Sequence, residues 1–136
     1  MNTDASSQSQ QTEKHTVLLV DDEQMVLEVG KAILQRLGHE VVTAESGEEA
    51  LEKFDHHQDA IGCVVLDLTM PGMDGKETFS RLRDLAPGLP IIISSGLSAE
   101  QVSAQFEDGP TIAFIQKPYQ VAELSSTIQS ILKKNA

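Results

Sequence analysis

Five short apolar runs punctuate the chain: Val17-Leu18-Leu19-Val20, Val41-Val42-Thr43-Ala44, Cys63-Val64-Val65-Leu66, Ile91-Ile92-Ile93 and Ile112-Ala113-Phe114-Ile115. Four of them are continuously apolar rather than alternating, the pattern of parallel strands covered by helices on both faces. They are too short and too β-branched for buried helices. A segment with helical spacing follows each run. Gln24 to Leu37 carries Leu27, Ile33, Leu34 and Leu37 and stops at Gly38, a C-terminal glycine. Ser46-Gly47-Glu48-Glu49, Asp74-Gly75-Lys76-Glu77 and Ser98-Ala99-Glu100-Gln101 share the capping-box form and predict three further helix starts. The helix from Ser98 is expected to be the weakest, since its apolar face is thin and Gly109-Pro110 ends it early. The last helix has Leu124, Ile128, Ile131 and Leu132 on one face, and its Lys133-Lys134 end suits the negative end of the helix dipole. Regular strand–helix alternation predicts a doubly wound α/β architecture with right-handed crossovers. In such sheets ligands bind outside the carboxyl ends of the strands, so the chemistry is to be sought after each apolar run.

Composition narrows this. At 136 residues, 40% hydrophobic and 23% charged, the chain has one domain's length and enough apolar content to bury a core. Residues 1–14, with Ser6-Ser7-Gln8-Ser9-Gln10-Gln11 and almost nothing apolar, are expected to be a disordered tail or linker, leaving a folded domain over 15–134. Ten Lys plus Arg against 21 Asp plus Glu give a formal charge of -11, which repels nucleic acid and anionic lipid. Neither is expected as a partner, whereas metal ions stay open. The single cysteine, Cys63, excludes an internal disulfide and a cysteine-based zinc cluster and fits a reducing compartment. With no basic leader and no apolar run of about 18 residues, a cytoplasmic location is expected.

Asp21-Asp22-Glu23 follows the first run, Asp67 the third, Ser94-Ser95-Gly96 the fourth and Gln116-Lys117-Pro118 the fifth. One rim of the sheet can hold all of them. Two carboxylates about 4 Å apart repel by on the order of 4 kcal/mol at an effective dielectric of about 20, so Asp21, Asp22 and Asp67 together need a cation or a retained proton. Magnesium is the natural candidate, with manganese as a substitute, because it takes one or two carboxylates and accepts phosphate oxygens. Lys117 supplies part of the compensation.

These residues carry a resemblance. Leu18-Leu19-Val20-Asp21-Asp22-Glu23, Asp67-Leu68-Thr69-Met70-Pro71-Gly72-Met73-Asp74-Gly75, Ser95-Gly96 and Lys117-Pro118 resemble the receiver domain of two-component response regulators, over about His15 to Lys134. The resemblance implies a flavodoxin-like (βα)5 fold with strand order 2-1-3-4-5. It implies that Asp67 accepts a phosphoryl group from a histidine kinase or phosphotransfer protein. By the same likeness Asp22 and Asp67 bind magnesium directly, Asp21 through water and Thr69 through its backbone carbonyl. Ser95 then hydrogen-bonds a phosphoryl oxygen, Lys117 neutralises charge, and the Lys117-Pro118 bond is cis. The output is a switch in which Ser95 moves toward the phosphate and Phe114 turns inward, altering the face of the fourth helix, fifth strand and fifth helix for a protein target. Phe114 departs from the tyrosine often found there. Thr69 and Leu97 occupy the positions that tune hydrolysis, and neither side chain can hold an attacking water as an amide or carboxylate would, so a long-lived phosphoryl group is expected. Such a module is a phosphoacceptor that assists its own reactions rather than an enzyme. It is either a single-domain regulator or a receiver excised from a hybrid histidine kinase, a choice on which the Ser/Gln-rich leader slightly favours the second.

Other readings compete. A magnesium-dependent phosphohydrolase also uses an Asp nucleophile, but it would carry a second Asp where Thr69 stands and usually a cap domain. A nucleotide or flavin carrier needs a Gly- or Ser/Thr-rich phosphate loop where Asp21-Asp22-Glu23 stands. A degenerate receiver would lack a pocket residue. His56-His57, beside Asp55 and Asp59, lacks the spacing of a helical metal pair and reads as a solvated connection. His15 and His39 read as loop residues, Cys63 as core, and at least one of Met70 and Met73 as a packing residue of the turn after Asp67.

Overall fold

The computed structural model describes residues 16–58, 60–68, 75–106, 109 and 111–134. The expectations for residues 1–15, Asp59, Thr69, Met70, Met73 and Asp74 lie outside them. Strands and helices alternate as β1 (Thr16–Val20), α1 (Gln24–Arg36), β2 (Glu40–Ala44), α2 (Gly47–His56) and β3 (Ile61–Asp67), then α3 (Gly75–Leu85), β4 (Ile91–Ser95), α4 (Ala99–Ser103), β5 (Ile112–Gln116) and α5 (Val121–Lys134). All pairings are parallel, and the sheet order is β2-β1-β3-β4-β5, the doubly wound arrangement expected.

Burial explains why the central strands read as continuous apolar runs. Successive side chains of a strand face opposite ways, so each strand feeds two cores. On one face Leu18, Val20, Val64, Leu66, Ile91 and Ile93 pack with Ala50 and Phe54 of α2, Leu82 of α3 and Val102 of α4. On the other, Val17, Leu19, Cys63, Val65, Ile92 and Ile115 meet Leu27 and Leu34 of α1 and Leu124 and Ile128 of α5. The edge strands β2 and β5 are only half-buried. Cys63 is fully enclosed, and burial pushes its thiol up to about 12, as suits a core residue.

Helix ends follow their local chemistry. Gly38, at φ +96°, closes α1 with a Schellman pair in which His39 N donates to Leu34 O and Gly38 N to Gln35 O. Ser46 Oγ accepts from Glu49 N, but the Glu49 carboxylate reaches past the cap and accepts from Glu45 N at 2.7 Å, so the reciprocal half of the box is displaced by one residue. Ser98 and Gln101 form a complete box on α4, which nevertheless lasts only five residues. The polar connection expected at His56-His57 begins one residue later, because α2 runs through His56, whose Nδ1 lies 3.0 Å from Glu52 O. Both imidazoles are exposed.

Candidate functional site

The topology sends the chain from β1 outward to β2 on one side and, through α2, to β3 on the other, opening a crevice at the carboxyl ends of β1 and β3. Asp21 is the first residue beyond β1 and Asp67 the last of β3, so both enter this crevice. Asp21 N donates to Ala44 O at 3.1 Å, prolonging the β1–β2 ladder by one bond and fixing the carboxylate at the strand end. Asp67 pairs in register with Ser94, and Leu68 N donates to Ser94 O at 2.9 Å. Asp21 is fully buried, Asp67 1% exposed, and Asp22 exposed. One carboxylate oxygen from each lies within 4.8 Å of the others.

That density of negative charge is met from β5. Lys117 follows the strand directly, its backbone N donating to Ser95 O at 2.7 Å, and its ammonium reaches 2.9 Å from Asp21 Oδ2 and 3.2 Å from Asp67 Oδ1. Burial by itself would pull the Lys117 ammonium down. The hydrogen bond to Asp21 and the charges of Asp67 and Asp21 outweigh it, so its pKa is raised. Asp21 Oδ1 accepts from Glu23 N at 2.9 Å, so both oxygens of Asp21 are engaged within the protein. One ammonium against three carboxylates leaves the cluster net anionic, and an all-oxygen donor set with one exposed member fits a hard divalent cation.

Of the remaining residues read from the sequence, Ser95, Leu97, Lys117 and Pro118 stand at or just beyond the carboxyl ends of β4 and β5, and Phe114 lies within β5. Ser95, 3% exposed, ends β4, and its Oγ accepts from Leu97 N at 3.0 Å. Leu97 is 46% exposed on the rim. The Lys117–Pro118 peptide is cis. Phe114 is half-buried, its ring 6.1 Å from that of Phe106, which meets Phe79 edge-on at 5.1 Å. This aromatic chain joins β5 to α3 through the turn after α4. Thr69 lies outside the described residues.

Three further residues around the site have no role assigned from the sequence alone. Tyr119, 9% exposed, donates its hydroxyl to Ser94 Oγ at 3.2 Å, and burial pushes its phenol up to about 12. Ser94 is fully buried. Their signals were a hydroxyl directly after an apolar run and the one tyrosine of the chain directly after Lys117-Pro118. Gly75 begins α3 with its N donating to Leu68 O, and a Cβ there would lie 2.5 Å from Asp67 O and from Leu68 Cα. The close approach of α3 to the end of β3 therefore requires glycine.

Residues 17–129 match the family model for the response regulator receiver domain. Among curated proteins the chain is 34% identical over 119 residues to the sensor kinase CckA of Brucella abortus, covering 88% of this chain and 13% of that protein. It is 29% identical to the alkaline phosphatase synthesis transcriptional regulatory protein PhoP of Bacillus subtilis, covering 88% of this chain and 49% of that one. The chain thus spans about half or less of these relatives. Among solved structures it is similar to one from Borrelia burgdorferi described as a CheX-CheY-BeF3-Mg+2 complex, with TM-score 0.79, 29% identity, and coverage of 90% of this chain and 92% of that one.

Proposed function

Because the chain belongs to the response regulator receiver domain family, the signalling modules of two-component systems, we propose that Asp67 accepts a phosphoryl group from a phosphohistidine on a histidine kinase or phosphotransfer protein. The observation that carries this reading is the Lys117 ammonium bridging Asp21 and Asp67 inside a three-carboxylate cluster. In the reaction a carboxylate oxygen of Asp67 attacks phosphorus. A P–O bond forms as the P–N bond breaks, and its electron pair returns to the imidazole. Magnesium, when bound, neutralises charge on the transferring phosphoryl group. Asp22 and Asp67 would hold it directly and Asp21 through water. The latter role suits a carboxylate whose oxygens already bind Lys117 Nζ and Glu23 N. Thr69 is assigned the carbonyl ligand.

Lys117 holds Asp67 in place beforehand and pairs with the phosphoryl oxygens afterwards, so little reorganisation accompanies transfer. Ser95 is assigned the hydrogen bond to the phosphoryl group, its hydroxyl donating to a phosphoryl oxygen while its Oγ accepts from Leu97 N, which couples the site to the turn leading into α4. Output is assigned to Phe114 and the face of α4, β5 and α5. A groove of about 470 Å³ there, lined by residues including Ala113, Phe114, Thr127 and Ile131, supports a protein target at that edge. The family match favours this reading over a phosphohydrolase. No helix among the described residues is long and apolar enough to cross a membrane, and a cytoplasmic setting is proposed.

The test is phosphotransfer from a panel of autophosphorylated histidine kinases to wild type and Asp67→Asn. Rapid labelling of the wild type by at least one kinase, and none of the variant, is expected. Equal labelling of both would overturn the assignment.

A further inference from the structure

Lys117 carries four rotatable side-chain bonds, yet its ammonium meets two buried carboxylates at once. Something must fix the backbone from which it projects. Upstream, Lys117 N is bonded to Ser95 O at 2.7 Å. Downstream, the chain passes Pro118 and is anchored by Tyr119, whose ring packs against α1 at Gly30. A Cβ on that glycine would lie 3.2 and 3.4 Å from the ring atoms and 2.8 Å from Leu19 Cδ2, so the berth exists because residue 30 has no side chain. The hydroxyl ends on Ser94 Oγ at 3.2 Å. Ser94 is also the register partner of Asp67, and its carbonyl holds Leu68 N. One residue of β4 thereby touches both the strand end bearing Asp67 and the loop bearing Lys117.

We propose that Tyr119 is a positioning residue, its hydrogen bond to Ser94 setting the Lys117 ammonium against Asp67. The proposal rests on the reading of Asp67 as phosphoacceptor. A phenylalanine would fill the same berth, so packing alone does not call for the hydroxyl. Two hydroxyls in so dry a place satisfy one another, and removing either leaves the other wanting.

The experiment compares wild type, Tyr119→Phe, Ser94→Ala, the double variant and Asp67→Asn in labelling by phosphoramidate with magnesium, in thermal melting, and in lysine-selective 15N spectra. Each single substitution is expected to slow labelling about three- to tenfold, through loss of one buried hydrogen bond that orients a reacting group. The double variant should be no slower than the slower single, because both changes remove one bond. The Lys117 ammonium resonance should shift in each toward that of exposed lysines, which a purely structural loss of stability does not produce. Wild-type labelling in both folded single variants, losses that multiply in the double variant, or an unmoved Lys117 resonance would overturn the proposal. Where Tyr119→Phe fails to fold, Ser94→Ala removes the same bond from the strand side and decides alone. If wild type takes no label, or Asp67→Asn labels equally, the phosphoacceptor reading fails, while the Lys117 resonance still tests the positioning.

Discussion

Replacing Lys117 by methionine would remove an ammonium that holds together two carboxylates the fold has taken out of water. Asp21 is fully buried and Asp67 is 1% exposed, with Lys117 Nζ at 2.9 and 3.2 Å from them. Without it, charges within 4.8 Å of one another repel by at least about 3.5 kcal/mol at an effective dielectric of about 20. Breaking a buried ion pair from one side costs about 3–5 kcal/mol, so Lys117→Met should lose roughly that much stability in chelator. The chain has no tryptophan and one tyrosine, so urea unfolding is best followed by circular dichroism. Magnesium should restore part of the loss, since a divalent cation on the same carboxylates replaces the missing charge. The pH dependence has a definite sign. The Lys117 pKa is raised in the folded protein above the ordinary lysine value of 10.5, so from neutrality up to that pH its contribution is fully present, and it is lost as pH rises through the folded value. From neutrality upward, the gap between wild type and variant should therefore be flat and should narrow only in strong alkali. A variant as stable as wild type in chelator, or one whose deficit ignores magnesium, would refute the reasoning.

Two further outcomes follow from other residues. Gly75→Ala places a Cβ 2.5 Å from Asp67 O and 2.6 Å from Leu68 O, backbone atoms that cannot swing aside, and should cost about 1–3 kcal/mol in urea unfolding while also slowing labelling of Asp67. Wild-type behaviour in both respects would mean that α3 does not press on the end of β3. If Thr69 and the exposed Leu97 hold the hydrolysis-tuning positions that the family resemblance implies, neither side chain can hold an attacking water, and the label in purified protein with magnesium should persist for minutes or longer. Loss within seconds would contradict those two assignments.

The legible part of the fold was the part where burial is symmetric. β1, β3 and β4 are enclosed on both faces, and their unbroken apolar runs say so without reference to neighbours. Ser46, Ser98 and Gly38 announced helix ends because capping is a matter of a few adjacent residues. The register shift between Thr16 and Val17 against β3, and the displaced Glu49 bond, depend on how elements meet and left no local mark. The same division runs through the site. Carboxylates and a lysine after strands advertise themselves, since ionised groups at strand ends are few and chemically distinct. Tyr119, Ser94 and Gly75 act through distances across the fold: a hydroxyl 25 positions from its partner, and a glycine that matters because α3 crowds Asp67.

The most direct measurement is intact-protein mass after incubation with phosphoramidate, in magnesium and in chelator, for wild type and Asp67→Asn. A gain of one phosphoryl group by wild type in magnesium, abolished by chelator and by the substitution, is the predicted result. A phosphoryl group gained equally without the metal, or equally by Asp67→Asn, would contradict the account.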